Sequence, residues 1–380
     1  MSSPSSSYVY SPLAQGEIRL LTLLPGKAEE PICCLLNHHG LSSVTNQYEA
    51  LSYMWGSQED PKTIQIRSQQ SFIGAHSIPL GQSLWKALRA LRKEAEPRIL
   101  WADAICINQK LVTERNMQVQ MMRKIFQSAR LVLVWLGDET DETYEYPAYG
   151  PFQIRHTEGG SRHPNARSLE RGIVNLGKLE ANKEVEEGNS SVELDESRAL
   201  DWMASAFRLC HKRYWKRLWV IQEILSAREL VICYDCYSCP WNEFVKNYKA
   251  AENIWWSSVD MLADVWYDDD YEEENNERLQ EARVPVDCAV ILFDENRKNK
   301  ELLDLPTLLI RYGDAECKNP RDRVYGLLGL ASDCQNGELT VDYDLSMKDL
   351  FDRVMVVYDH SDYPSISQRR LGFHLRQLLL

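Results

Sequence analysis

The stretch Tyr48-Glu-Ala-Leu-Ser-Tyr-Met-Trp-Gly56 gives the clearest indication of the fold. Its first six residues are mostly apolar or aromatic, which is typical of a buried strand, and Gly56 is a typical turn residue. The pattern predicts a β-strand over 48–53 that ends in a turn at Trp55 and Gly56.

Helix-like segments follow this strand. Leucine and alanine at helical spacing predict an amphipathic helix over 84–91, which Pro97 ends. Thr113 is the predicted N-cap of a second helix, and a tryptophan-rich run predicts a third helix over 214–227. The predicted apolar face of the second helix consists of Met117, Met121, Met122, Ile125, Phe126 and Ala129.

Short apolar runs lie before and after these helices. They predict strands at 99–101, 131–136 and 229–234. Because strands and helices alternate and the strands are almost continuously apolar, they indicate a parallel sheet covered on both faces. The fold class is therefore predicted to be α/β.

Polar and aromatic residues come at the ends of two of these strands. In an open α/β sheet ligands bind beyond the carboxyl ends of the strands, so the residues there are the first candidates for a binding site. We therefore predict a substrate-binding set made of Ser52, Tyr53, Trp55, Gly56, Asp103, Asn108 and Gln109.

Two long stretches interrupt the alternating pattern. Residues from about 138 to 197 have little apolar periodicity, which predicts a flexible insertion. An acidic run at 268–277 contributes about half of the net charge of −13 and is typical of a solvated loop or interaction segment. We predict three regions: a tail with a first strand segment at 1–46, a domain at 47–235, and a mostly helical region at 236–380.

Composition excludes several classes of protein. With 43 Lys and Arg against 56 Asp and Glu, the 380-residue chain lacks the basic excess of a nucleic-acid coat protein, so no nucleic-acid partner is predicted. The N-terminus has no signal-peptide pattern, and no apolar run approaches the ~18–20 residues that span a bilayer. Ten cysteines are too few for a disulfide-stapled secreted scaffold. A cytoplasmic location with reduced thiols is the prediction.

Three cysteines have a spacing that can hold metal. Cys233, Cys236 and Cys239 form C-x2-C-x2-C, which can bind zinc or an iron–sulfur cluster. No second C-x2-C pair follows, so unliganded thiols are the preferred interpretation and no metal site is predicted. The chain also lacks the motifs of phosphate loops, HExxH metalloproteases and serine hydrolases.

Four ordered motifs carry a family resemblance. They are Tyr48 to Gly56, Leu100-Trp-Ala-Asp-Ala-Ile-Cys-Ile-Asn-Gln109, Val134-Trp-Leu-Gly137 and Arg217-Leu-Trp-Val-Ile-Gln-Glu223. Together they resemble the HET (heterokaryon incompatibility) domain of filamentous fungi, and Asn319 to Leu330 resembles a later segment of that family. The resemblance implies a role in non-self recognition and regulated cell death, with protein partners or self-association.

Two of these motifs also resemble parts of TIR domains. Residues 48–53 look like the first TIR strand, and Trp219-Val-Ile-Gln-Glu223 resembles the W-x-x-x-E helix start whose glutamate is catalytic in TIR enzymes that cleave NAD. The resemblance implies a TIR/flavodoxin-like sheet, NAD as substrate with no further cofactor, and Glu223 as the catalytic carboxylate. Trp55 and Trp219 would then wall the substrate ring, and Asp103 would bind a ribose hydroxyl or order its loop.

The chemistry of this hypothesis needs a single carboxylate. Cleavage of the nicotinamide–ribose bond releases a neutral leaving group from a cation, so no general acid is required. One carboxylate near the ribose can stabilise the oxocarbenium-like transition state.

The alternative hypothesis is structural. Glu223 would cap a helix or pair with Arg213 or Arg217, the motif tryptophans would be ordinary core, and the chain would be a non-enzymatic, oligomerising module that recruits a separate death effector. The two hypotheses differ in whether four side chains meet in one place, namely Ser52, Trp55, Asp103 and Glu223.

Overall fold

The structure is a computed structural model and describes residues 7–67, 75–138, 209–210, 212–250, 289–299, 303–359 and 368–379. It has two compact units. Unit 1 comprises Met1–Gly137, Arg213–Val231 and Asn296–Leu380, and unit 2 comprises Asp138–Lys212 and Ile232–Glu295. Apart from Asp138, the predicted insertion and the acidic run at 268–277 lie outside the described residues.

The strands of the described residues form a mixed sheet. Along unit 1 the strand order is β5-β4-β2-β1-β6-β3-β7-β8, and β9 belongs to unit 2. The strands are β1 (Glu17–Leu23), β2 (Cys33–Gly40), β3 (Glu49–Tyr53), β4 (Lys62–Arg67), β5 (Ala75–Leu80), β6 (Arg98–Trp101), β7 (Leu131–Trp135), β8 (Leu230–Tyr234) and β9 (Tyr237–Pro240).

The α/β class is confirmed, but a purely parallel sheet is wrong. β3 runs parallel to β6 and β7, as the alternating pattern predicts. β1, however, runs antiparallel to both β2 and β6, and β4 runs antiparallel to β5. The connections at 24–32 and 68–74 are too short for the crossover of a dozen or more residues that a parallel pair needs.

Helices alternate with the strands and then dominate the C-terminal part. The described helices are α1 (Gln82–Leu91), α2 (Asp103–Cys106), α3 (Val112–Ser128), α4 (Leu218–Ser226), α5 (241–250), α6 (Ala289–Asn299), α7 (Leu305–Tyr312), α8 (Asp322–Leu328), α9 (Met347–Asp359) and α10 (Gln368–Leu379), with 3-10 turns at Leu41–Val44 and Arg213–Lys216.

Two helix limits differ from the prediction. α1 ends at Leu91, because Arg92 already has extended backbone angles, so Pro97 does not end it. The tryptophan-rich run is a 3-10 turn followed by α4, because Arg217 between them is also extended. The Leu218 N–H and the Lys216 carbonyl both hydrogen-bond to the backbone of Glu316. These bonds stabilise the extended backbone of Arg217 between the 3-10 turn and α4.

α3 buries polar residues where apolar ones were predicted. It begins at Val112 with Leu111 as N-cap, so Thr113 is not the cap. Met117 is exposed, whereas Glu114 and Gln118 are buried together with Met122, Ile125 and Phe126.

A buried ion pair explains this polar face. The Arg19 guanidinium of β1 binds both carboxylate oxygens of Glu114, at 2.6 and 3.0 Å. The Asn108 N–H also donates to Glu114, at 2.6 Å, and Arg19 donates to the carbonyls of Ser11 and Cys106. α3 therefore docks on the sheet through a buried, hydrogen-bonded charge pair.

Unit 2 contains the three spaced cysteines. Cys233 and Cys239 are buried and Cys236 is exposed. No three His, Cys, Asp or Glu side chains form a metal-binding group within the described residues. Within the same residues, none of the helices has the length and hydropathy needed to cross a membrane.

Candidate functional site

Ser52 and Glu223 are joined at the carboxyl end of β3. Ser52 is the penultimate residue of β3, and Glu223 lies on α4; both are buried. The Ser52 hydroxyl donates to Glu223 Oε2 and is also hydrogen-bonded to the hydroxyl of Tyr214. The chain Tyr214–Ser52–Glu223 thus links the strand, the 3-10 turn and α4.

Trp55 and Asp103 form the second contact of the site. The Trp55 indole N–H donates to Asp103 Oδ2 at 2.9 Å, and the Ala104 N–H donates to Oδ1 at 2.7 Å. Asp103 is the first residue of α2, where a negative charge interacts favourably with the helix dipole. The indole ring is therefore held beside a carboxylate and remains partly exposed.

Arg217 connects the two contacts. Its guanidinium donates to the Tyr53 carbonyl at the end of β3. The positive charge of Arg217 lowers the pKa of both Asp103 and Glu223, so it acts on each carboxyl group. Arg213, the other arginine considered as a partner of Glu223, pairs instead with Glu316 at 2.8 Å.

Burial sets the protonation of the two acids. It raises the pKa of Glu223 to about 7, although Arg217 and the Ser52 hydrogen bond act in the opposite direction. Burial likewise raises the pKa of Asp103. When both acids are ionised, two negative charges face one arginine, which leaves the site with a net negative charge.

Tyr53 adds a buried hydroxyl group to the site. Its side chain is 3% exposed, and its hydroxyl lies near the Asp103 carboxylate. Burial raises the pKa of this hydroxyl well above its usual value, and the nearby Asp103 carboxylate adds to the effect. A protonated phenol therefore lies next to Asp103.

The remaining residues predicted for the site are Gly56, Asn108, Gln109 and Trp219, and they make other contacts. Gly56 lies at the exposed turn after β3 with φ +64°. Gln109 donates to the Asp103 carbonyl at 3.0 Å and so supports α2. Asn108 belongs to the ion pair of Arg19, described above. Trp219 lies on α4 but donates to Asp322 at 3.2 Å.

The structure thus brings together Ser52, Tyr53, Trp55, Asp103 and Glu223, and it adds Tyr214 and Arg217. Tyr214 was missed because nothing in the sequence indicates that it meets a serine 162 positions earlier. Arg217 could have been found, since it opens the motif that ends in Glu223, but it was considered only as a structural partner.

Comparisons with known proteins agree with the motifs. Residues 48–223 match the family model described as "Heterokaryon incompatibility protein (HET)". The chain is 28% identical over 361 residues to "Heterokaryon incompatibility protein 6, OR allele" of Neurospora crassa, which covers 87% of this chain and 49% of that protein. The chain therefore spans about half the length of the curated relative it matches. No solved structure matches the chain.

Proposed function

We propose, because this chain carries a heterokaryon incompatibility (HET) domain over residues 48–223, that it acts in fungal non-self recognition and that its site cleaves NAD. The role in incompatibility rests on the family match and on the Neurospora relative. The chemistry rests on the site, through the convergence of Ser52, Trp55, Asp103 and Glu223 around Arg217.

This convergence favours a ligand site over a set of unrelated core residues. The four side chains come from β3, the turn after it, α2 and α4, and hydrogen bonds join them in pairs. A buried acid beside a half-buried one, both with raised pKa values, at the carboxyl end of a parallel strand is typical of a functional site.

The charge of the site supports a cationic substrate. Two carboxylates and one arginine attract a positive group, and the partly exposed Trp55 ring can stack on or contact a cation. The oxidised nicotinamide ring is a planar aromatic cation, so NAD fits this combination of charge and surface.

Glu223 would stabilise the transition state of the cleavage. The bond between ribose C1′ and the ring nitrogen breaks, and its electron pair neutralises the pyridinium. The carboxylate of Glu223 stabilises the cationic ribosyl group until water attacks C1′ and releases a proton to solvent. Because Glu223 must be ionised, its pKa of about 7 predicts a rate that rises as the pH passes 7.

The test is release of nicotinamide from NAD by the purified full chain. We expect Glu223→Gln to lower the rate by about 100-fold or more, since it removes the charge but keeps the shape. Glu229→Gln, which changes an exposed glutamate just after α4, is the matched control and should retain the rate. NAD cleavage that survives Glu223→Gln would show that Glu223 is not the catalytic carboxylate. If the protein does not cleave NAD even when it is clustered artificially, the proposed NAD-cleaving activity is excluded.

A second function has an observation in its favour. Ser52 and Glu223 are both buried and bind each other, so the pair also holds β3 against α4. A non-enzymatic module that oligomerises and recruits a separate death effector would use the pair in this way. Under this hypothesis cell killing would persist when Asp103→Asn and Glu223→Gln are combined, whereas the NAD-cleaving hypothesis requires that it stop.

A further inference from the structure

The helix that carries Glu223 is held at its start by a distant part of the chain. Glu316 accepts from the Leu218 N–H at 2.9 Å and donates its own N–H to the Lys216 carbonyl at 2.7 Å. Its carboxylate binds Arg213 at 2.8 Å. These bonds fix the extended residue Arg217, and with it the first turn of α4.

Asp322 makes the next contact with α4. Its Oδ2 accepts from the Trp219 indole N–H at 3.2 Å, and its Oδ1 accepts from the Tyr343 hydroxyl at 2.6 Å. The Asp322 side chain is buried, and its carboxylate accepts from both of these donors. Asp322 therefore links α4 to the segment around Tyr343.

α8, which begins with Asp322, packs directly against α4. A Cβ added at Gly326 would lie 3.1 Å from Leu218, and one added at Gly329 would lie 1.9 Å from the Gln222 amide nitrogen. The Gln222 amide could move away from such a Cβ, but the Arg123 Cβ on α3 would lie 2.9 Å from it, so glycine at 329 suits this close approach. Gln222 is the direct neighbour of Glu223.

The far end of this segment is tied to α3. The Tyr343 N–H donates to Asn116 at 3.2 Å, and the Val341 N–H donates to Gln120 at 2.8 Å. The guanidinium of Arg115 lies over the Tyr343 ring, 4.3 Å from its centre. Residues 316–343 thus bridge α3 and α4 within unit 1.

We infer that residues 316–343, which follow the matched HET region, position the helix of Glu223, and that Asp322 is the positioning residue at the centre of this clamp. α4 has only nine residues, and a helix of that length is marginal without tertiary contacts. A displacement of about 1 Å at a reacting group can cost about 100-fold in rate. The catalytic part of this inference rests on the proposed NAD cleavage, but the positioning of α4 can be tested without it.

Two tyrosines provide a matched pair of variants. Tyr343→Phe removes the hydroxyl that binds Asp322. Tyr325→Phe removes a hydroxyl that binds the Asp342 carbonyl at 2.7 Å, and its ring packs 5.3 Å from the ring of Tyr343. The variants are the same chemical change in the same cluster, but only the first one removes a hydrogen bond of Asp322. Asp322→Asn is a second variant of the clamp.

The measurement is hydrogen exchange of the α4 amides in the full chain by mass spectrometry. We expect Tyr343→Phe and Asp322→Asn to accelerate exchange in α4 by about tenfold, since each weakens a hydrogen bond to a carboxylate. Tyr325→Phe should leave α4 within about twofold of wild type, since it keeps the ring and removes no hydrogen bond of Asp322 or α4. Equal exchange in α4 for Tyr343→Phe and Tyr325→Phe would overturn the inference.

Turnover gives a second readout. We expect Tyr343→Phe to lower kcat with KM unchanged and to move the acid limb of the pH profile upward, because Ser52 and Arg217 both lower the pKa of Glu223 and a loosened α4 weakens both contacts. Tyr325→Phe should do neither. If wild-type protein does not cleave NAD at all, the proposed function fails, and the exchange experiment still decides whether the clamp positions α4.

Discussion

The pKa of Glu223 depends more on burial than on the neighbouring groups. Its carboxyl group receives a hydrogen bond from Ser52 and has the charge of Arg217 nearby, and both favour the ionised form. Burial opposes them and prevails, so the pKa rises to about 7. The folded chain therefore holds a proton on Glu223 over a pH range in which the unfolded chain has released it.

This difference makes the free energy of unfolding depend on pH. Below about pH 4.5 Glu223 is protonated in both states, and between 4.5 and about 7 the folded state binds more protons, so stability falls as the pH rises through this window. Each pKa unit corresponds to about 1.4 kcal/mol, so the full loss is about 3 kcal/mol. Glu223→Gln cannot ionise and should become more stable relative to wild type by about this amount between pH 5 and pH 8.

Urea unfolding of wild type and Glu223→Gln at both pH values measures this effect. The exposed variant Glu229→Gln controls for the loss of one surface charge. A stability difference between wild type and Glu223→Gln that is the same at pH 5 and pH 8 would show that Glu223 titrates alike in the folded and unfolded states.

At the scale of residues, the motifs identified five of the seven side chains of the site. Ser52, Trp55 and Asp103 were found because residues at strand ends share one edge of a parallel sheet. Asn108 and Trp219 belong to the same motifs, but their hydrogen bonds go to Glu114 and Asp322. Such partners cannot be read from spacing. Asp322 lies 103 positions after Trp219, and Glu114 lies on a helix face that apolar spacing does not predict to be buried.

At the scale of elements, α3 shows the limit of hydrophobic periodicity. Hydrophobic periodicity reveals a buried helix face only when the buried residues are apolar. The buried face of α3 includes Glu114 and Gln118. The burial of Glu114 becomes understandable only with Arg19, which lies 95 positions earlier on β1. The exposed Met117 was assigned to the core for the same reason.

We expect Glu114→Gln to destabilise the chain by about 3–5 kcal/mol, because it leaves the buried Arg19 guanidinium without its counter-charge. The matched change Glu29→Gln, in an exposed pair with Arg89, should cost less than about 1 kcal/mol. Urea unfolding at pH 7, followed by circular dichroism, measures both. Similar small losses in the two variants would mean that the buried pair contributes little to stability.

The ion pair also has a pH dependence of the opposite sign to that of Glu223. Burial alone would raise the pKa of Glu114, but the Arg19 hydrogen bonds and the Asn108 N–H outweigh it and lower the pKa. The stability that the pair provides is therefore complete above the ordinary pKa of a glutamate and is lost as the pH falls below it.

At the scale of the whole molecule, the parallel strands β6, β3 and β7 were predictable and the antiparallel ones were not. The parallel strands are apolar and separated by helices, which is the pattern that indicates this arrangement. β1 and β2 carry Arg19, Asn37, His38 and His39 among their apolar residues, so they do not form an apolar run. The helical C-terminal part was predicted, but its contacts with α3 and α4 were not.

We expect a chain that ends at residue 295 to lose cooperative folding. Residues 296–380 belong to unit 1, and their leucines and valines at 305, 309, 324 and 327 are fully buried. Their removal would expose this surface and release α4 from Glu316 and Asp322. Thermal melting followed by circular dichroism should show a sharp transition for the full chain and none for the shortened one. A sharp transition in the shortened chain would mean that the first part of unit 1 folds alone.

The discontinuity of unit 1 has a consequence for how the length of this chain can vary. Two stretches, 138–212 and 232–295, leave unit 1 and return to it. The entropy of closing such an excursion grows only with the logarithm of its length, by about 0.6 kcal/mol for each doubling. Changes of length within these stretches therefore alter the closure entropy of unit 1 only slightly. The chain can therefore gain or lose residues there while the residues around Glu223 stay the same.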